Sequence, residues 1–279
     1  EESVPVSESD ILQETESQSP IQNQSDISAE NYVITDMELG TGTAKEKFWR
    51  NVEAIRTLKM IESEGRMATA DEQEVLSGYV GWGGLADAFD ETKSAWIKEY
   101  AELKDLMFEE EYLSARESTL NAHYTSPVII RGIYRTLQRM GFTKGNLLEP
   151  SMGIGNFFGM LPETMRESHL YGVELDNLTG RIARQLYPKA DITVDGYEKT
   201  TFPNDFFDAA VGNVPFGQYK VADKKYDKHN FLIHDYFFGK TLDQVRPGGV
   251  IAFITSKGTM DKENPKVRRY IAQRAELLG

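Results

Sequence analysis

From Ser126 onward the chain alternates short apolar runs with amphipathic stretches, and this alternation limits its fold more than any other feature. Apolar runs at 146–149, 170–174, 191–194, 207–212 and 249–255 read as strands, and stretches at 154–161, 176–187, 230–245 and 264–277 read as helices. Strands separated by helices need crossover connections, which gives a mainly parallel α/β sheet with right-handed crossovers. Ser126 predicts a helix N-cap with Pro127 at the first helical position. Ile130, Ile133, Tyr134 and Leu137 form that helix's buried stripe, and Gly141 ends it. Pro247-Gly248-Gly249 predicts a tight turn into the last strand. The pattern breaks off at Leu277-Leu278-Gly279, so the chain is expected to belong to something longer.

Upstream, residues 43–126 read as mostly helical. Phe48, Val52, Ile55, Leu58 and Ile61 recur at helical spacing. Thr69-Ala70-Asp71-Glu72 reads as a capping box opening a helix that carries Leu76, Tyr79 and Val80 and stops at Gly81-Trp82-Gly83-Gly84. A third helix is expected from Ala95 to Met107. Trp82 either covers a bound ligand or packs this segment. Residues 1–30 are rich in Ser, Gln and Glu and too poor in apolar groups to offset ordering entropy, so they read as a disordered acidic linker. The expected organisation is linker 1–30, helical extension 31–119 and an α/β domain over 120–279.

The formal charge is −13, but eight of the 44 acids fall in residues 1–30 beside no Lys or Arg, which leaves 36 acids against 31 bases. A mildly acidic body can still hold a basic groove. Cys is absent, which removes disulfides and thiolate metal sites and fits a reducing cytoplasm. The four His residues show no metal-binding spacing, and no apolar run approaches a membrane span.

Chemistry gathers at the strand ends. In Glu149-Pro150-Ser151-Met152-Gly153-Ile154-Gly155-Asn156-Phe157 a buried strand breaks into a glycine turn that opens a helix. Gly153 and Gly155 let a ligand approach the backbone, and the helix offers free N–H groups; a plain strand-to-helix turn has the same signature. Glu174, at the tip of the next strand, suits two ribose hydroxyls. Asp176 reads equally as a helix N-cap or a ligand contact, and Asp195 as an adenine contact or a simple turn. In Asn213-Val214-Pro215-Phe216 the Asn213 amide oxygen and the Pro215 carbonyl can both accept from an exocyclic amino group, and Phe216 can stack on a flat base. Ligands in parallel α/β sheets bind outside the carboxyl ends of the strands, so the glycine turn and this tip can face one crevice.

Together these runs resemble the S-adenosylmethionine-dependent N6-adenine DNA methyltransferases. The resemblance rests on Glu-Pro-x-x-Gly-x-Gly-x-Phe, on Asn-x-Pro-Phe and on Asn121-Ala122-His123-Tyr124-Thr125-Ser126-Pro127, and covers residues 120–279 in matching order. It implies a doubly wound Rossmann-like domain of the methyltransferase type. By resemblance, Tyr124, Thr125 and Pro127 border the cofactor's methionine part. Glu149, Pro150, Gly153, Gly155 and Phe157 hold its amino-acid end, Glu174 the ribose and Asp195 the adenine. Asn213, Pro215 and Phe216 would bind a target adenine flipped out of DNA. No metal is implied. Val214 departs from the Pro usual there. Tyr79-Val80-Gly81-Trp82-Gly83-Gly84-Leu85 and the Asn-Val-Pro-Phe-Gly form resemble very large bacterial mobile-element proteins that join such a domain to a helicase-like region.

Two other readings stay open. Protein-glutamine and RNA methyltransferases also use an Asn-Pro-aromatic tip, and a domain of this kind can serve as a DNA-positioning module with little turnover. Lys220, Lys224, Lys225, Lys228 and His229 read equally as phosphate contacts or as a solvated loop. Lys266, Arg268, Arg269 and Arg274 read as a charged helix face, and Phe237-Phe238 as core.

Overall fold

The structure, a computed structural model, describes residues 30–38, 40–119 and 125–279. Most of the expected linker and the segment Asn121 to Tyr124, with the expected site residue Tyr124, lie outside the described residues.

Five strands form one all-parallel sheet: β1 (Asn146–Glu149), β2 (His169–Glu174), β3 (Asp191–Val194), β4 (Phe207–Asn213) and β5 (Val245–Ile254), in the order β3-β2-β1-β4-β5. The chain runs outward from β1 to β3 and then returns to the other side of β1. The topological switch point therefore lies between β1 and β4, where doubly wound sheets open their crevice. The fold is Rossmann-like and doubly wound, with a helical N-terminal extension, as expected.

The extension holds α1 (Ala44–Ser63), α2 (Ala70–Ser77), α3 (Ile97–Leu106) and α4 (Glu109–Ser118). The α/β part adds α5 (Pro127–Arg139), α6 (Asn156–Gly159), α7 (Asn177–Leu186), α8 (Ile233–Gln244) and α9 (Lys266–Ala272). Thr43 with Glu46 and Thr69 with Glu72 make complete capping boxes at α1 and α2.

Several expected boundaries shift, each for a local reason. α2 ends at Ser77, because the Asn51 amide takes over the next backbone groups: Val80 N–H donates to Asn51 Oδ1 (2.9 Å) and Asn51 Nδ2 donates to the Gly81 carbonyl (2.6 Å). α6 starts only at Asn156, since Gly155 is left-handed (φ 88°) at its N-cap. α8 starts late, after left-handed Asn230 (φ 56°). β5 begins at Val245 directly after α8, so Pro247-Gly248-Gly249 sits inside the strand. There the register jumps from Phe207↔Val245 to Ala209↔Val250, and the expected turn is a bulge in the ladder.

Successive side chains of a strand point to opposite faces. Leu147, Ala209 and Val211 accordingly enter one core, and Leu148 and Ala210 the other. The first core also contains Phe48, Val52, Ile55, Leu58 and Ile61 of α1 together with Ile182 and Leu186 of α7, so extension and sheet share one apolar interior. Polar ties reinforce the seam. The Gln73 side-chain amide donates to the Gln185 carbonyl (3.0 Å), Arg181 pairs with Glu111 (2.7 Å) and with Glu62, and Ser114 Oγ donates to Asp176 Oδ2 (2.6 Å). Trp82 is buried edge-on between Phe48, Tyr79 and Phe89, so it packs the extension.

Because the interior is shared, Leu58→Ala is expected to lower global stability by roughly 2–5 kcal/mol. Chemical denaturation should show one displaced transition reported alike by near-ultraviolet and far-ultraviolet signals, not a separate early melting of the extension.

Candidate functional site

The carboxyl ends of β1 and β4 are neighbours. Leu147 pairs with Ala209 and Leu148 with Ala210, which brings the chain after Glu149 beside the chain leading to Asn213. A Cβ on Gly212 would stand 3.6 Å from the Glu149 Cγ and 3.7 Å from the Pro150 Cδ. The glycine turn and the Asn-Val-Pro-Phe tip thus flank the switch point from its two sides.

The turn is held by its backbone. Met152 N–H donates to the Val173 carbonyl (2.9 Å), and Gly155 N–H to the Met152 carbonyl (2.8 Å). Both glycines are left-handed, for different ends. At Gly155 a Cβ would lie 2.5 Å from the Tyr187 ring, so packing forbids a side chain. At Gly153 (φ 58°) no atom lies within 4 Å of where a Cβ would stand, so this backbone faces open space that a ligand can occupy. The Phe157 ring is buried edge-on against Tyr134, whose hydroxyl donates to the Phe157 carbonyl (2.7 Å). Pro127 is also buried, on the first turn of α5.

Two acids stand behind the turn. Glu149 is 2% exposed, and no described residue donates to its Oε2. Burial, then the nearby Glu174, pushes its pKa well above the usual carboxylate range. Glu174 is half-buried and accepts from the backbone N–H groups of Gly153 (2.8 Å) and Asp176 (2.9 Å). Burial outweighs those bonds, and its pKa is pushed up to about 7. An uncompensated carboxyl of this kind is expensive in a folded chain unless a cationic or hydrogen-bond-donating partner completes it. Asp176 resolves as the N-cap of α7, accepting from Thr179 N–H (2.8 Å). Asp195 stays half-exposed, its Oδ1 accepting from Gly196 N–H (2.7 Å) and from Lys199 (2.6 Å).

At the β4 tip, Asn213 Nδ2 donates to Thr125 Oγ1 (3.2 Å), which orients the amide. Its Oδ1 is buried and receives no donor from any described residue. The resemblance implies a place for Thr125 at the border of a cofactor pocket; its hydroxyl orienting Asn213 is a contact that spacing alone does not reveal. Val214 is fully buried, and its N–H donates to the Ile254 carbonyl (3.1 Å), prolonging the β4–β5 ladder by one bond. A proline there has no N–H to give. Pro215 and Phe216 are half-buried beyond it.

Among the described residues no group of three or more His, Cys, Asp or Glu is arranged to hold a metal, and no helix is long and apolar enough to cross a membrane.

Comparison with known proteins adds the following. No family model matches the chain. Over 222 residues it is 28% identical to the defense against restriction protein B of Escherichia phage P1, covering 77% of this chain and 8% of that protein. Among solved structures it is similar to a Listeria monocytogenes chain described as a class I S-adenosylmethionine-dependent methyltransferase, with TM-score 0.48, 16% identity and coverage of 82% of this chain and 80% of that one. It is also similar to an S-adenosylmethionine-dependent methyltransferase from Mesorhizobium loti, with TM-score 0.32, 21% identity and coverage of 44% and 53%. These scores carry no residue-by-residue correspondence, and the fold rests on the strand order itself.

The raised carboxyls set a pH dependence. A carboxyl whose folded pKa exceeds its unfolded value contributes stability that is complete below the unfolded pKa and lost as pH rises through the folded one. For Glu174 that window runs from its ordinary 4.5 to about 7. His229 and His234, whose pKa values burial lowers, act in the opposite sense nearby, so the readout is a difference. Glu174→Gln is expected to gain thermal midpoint relative to the parent chain as pH rises from about 5 to about 8, measured by scanning calorimetry across that range.

Proposed function

We propose that this chain transfers a methyl group from S-adenosylmethionine to the N6 amino group of an adenine in DNA. The observation that carries the reading is a pair of buried oxygens with no donor among the described residues, Glu149 Oε2 and Asn213 Oδ1, on the two strand ends that flank the switch point.

The residues present fit the donor. Glu149 would take its ammonium group, and the open backbone at Gly153 would let its amino-acid end lie against the turn. Pro150, Gly155 and Phe157 would shape that end, Thr125 and Pro127 its methionine side. Glu174 would accept from the ribose hydroxyls and Asp195 from the adenine amino group. By the resemblance, Tyr124 would border the methionine side as well. When bound, the donor supplies an electrophilic methyl on a sulfonium sulfur, which keeps the C–S bonding electrons after transfer.

The chain's own task is to present the nitrogen nucleophile. Asn213 Oδ1 and the Pro215 carbonyl each accept one N–H of the target amino group. That geometry draws the nitrogen lone pair out of conjugation with the ring, so it can form the N–C bond, and the surplus proton leaves to solvent. Thr125 keeps the Asn213 oxygen aimed correctly by occupying its Nδ2. Phe216 stacks on the flipped base. Alignment of nucleophile and methyl is the main catalytic device.

Restriction acts on DNA, so a relative named for defence against it supports DNA over RNA or protein as the substrate. The chain spans 8% of that relative's length, and we place it beside a helicase-like region in a larger bacterial, cytoplasmic mobile-element protein.

Asn213→Ala is expected to reduce methyl transfer to DNA by about 100-fold or more, with calorimetric affinity for S-adenosylmethionine kept within a few fold. Tritiated methyl uptake into DNA, RNA and protein identifies the acceptor. Undiminished transfer by the variant, or uptake into RNA or protein alone, refutes the reading.

A further inference from the structure

The lysine-rich loop after the Asn213 tip and the last helix were separate features of the sequence. In the structure they meet. His229, from the loop that leaves β4, and Asn264, Lys266, Arg269 and Gln273, from the segment that leaves β5, line one open cleft of about 370 Å³. β4 and β5 are paired neighbours with Asn213 opposite Ile254, so both segments leave the carboxyl ends of adjacent strands; they then run back along α8, where Phe231 and Tyr270 pack against Gly239, so the cleft flanks the candidate site and does not adjoin it.

We propose that this cleft is a second binding site that grips the phosphate backbone of the DNA whose adenine is presented at Asn213; it rests on the function proposed above.

Charge carries the argument. The chain as a whole is acidic, and most of its carboxylates near this edge are spoken for. Asp223 pairs with Lys240 (3.3 Å) and accepts from the Tyr236 hydroxyl (2.8 Å). Asp243 accepts from the Tyr226 hydroxyl (2.8 Å) and pairs with Lys225 (3.3 Å) and Arg274 (3.8 Å), and Asp235 pairs with Lys262. Lys228, Lys266 and Arg269, by contrast, are exposed cations with no carboxylate partner among the described residues. Asp227 and Glu263 are exposed in the same two segments and temper the field without pairing these cations. His229 is fixed between them, stacked on Phe231 (5.0 Å, 13°) and edge-on to Tyr270 (4.8 Å). Burial first, then Lys228, Lys266 and Arg274, lowers its pKa, so the imidazole already senses a positive field.

The floor is rigid. Lys240 is buried and donates to the Tyr197 carbonyl (2.7 Å) while also reaching Asp223, which ties the loop to α8. Arg268 anchors the other wall by donating to the Met260 carbonyl (3.1 Å). The neutral amides of Asn264 and Gln273 add donors beside the cations. Exposed, unpaired cations, neutral donors and an open cleft suit a chain of phosphodiesters, whose contacts position a duplex without reading its bases.

The test uses a duplex oligodeoxynucleotide and the full chain. Lys266→Glu/Arg269→Glu is expected to weaken duplex binding about tenfold or more and to reduce the slope of log affinity against log salt by about two. Lys266→Gln/Arg269→Gln should show a smaller loss of the same kind, which separates charge from misfolding, and calorimetric affinity for S-adenosylmethionine should be unchanged in both. The His229 pKa, followed by NMR, should rise when the parent chain binds the duplex. Unchanged duplex affinity and salt slope in both variants would overturn the site, as would tighter binding of RNA of the same sequence. A parent chain that binds duplex through these residues but methylates no adenine keeps this site and sinks the methyl-transfer reading.

Discussion

The pairing of Leu147 and Leu148 with Ala209 and Ala210 is the contact on which the rest depends. It is short, yet it joins two strands that lie on opposite sides of a change in winding direction. Crossover helices pull away to opposite faces there, and the backbone ends are left with a gap between them. Small residues at 209 and 210 matter for this. They leave room on each face of the sheet for the leucines of β1 beside them, which fill both cores. Slipping the register by one residue would exchange those faces and bury the wrong side chains.

Much of this was legible beforehand. The alternation of apolar runs with helical stripes is a strong signal because a parallel sheet buries both faces, and four of the five strands fall within a residue of where they were expected. The capping box at Thr69 was equally readable, since it needs only four adjacent residues. Boundaries failed where a distant side chain or a lone left-handed residue decided them, as Asn51 does for α2 and Asn230 for α8. The bulge in β5 was hidden because Pro-Gly-Gly carries the same local signature in a turn and in an interrupted ladder.

Within the site, motif order brought the glycine turn and the Asn213 tip to one crevice, but spacing could not show which polar atoms stay unanswered. Asp176 illustrates the difference: its pattern suited a helix N-cap and a ligand contact equally, and the structure makes it the N-cap, with Thr179 and Ser114 claiming both its oxygens. Glu149 looked similar and is left without a donor at Oε2. The distinction lies in three dimensions, because only Asp176 sits at the start of a full helix and under the extension. That extension does more than precede the sheet. By sharing its interior and capping the α7 side, it fixes the helix whose first turn stands next to Glu174.

Val214 ties the tip to the outermost strand through its N–H to the Ile254 carbonyl. A proline at this place has no N–H to give, so the β4–β5 ladder would end one bond earlier and the Ile254 carbonyl, which is only partly buried, would turn to solvent.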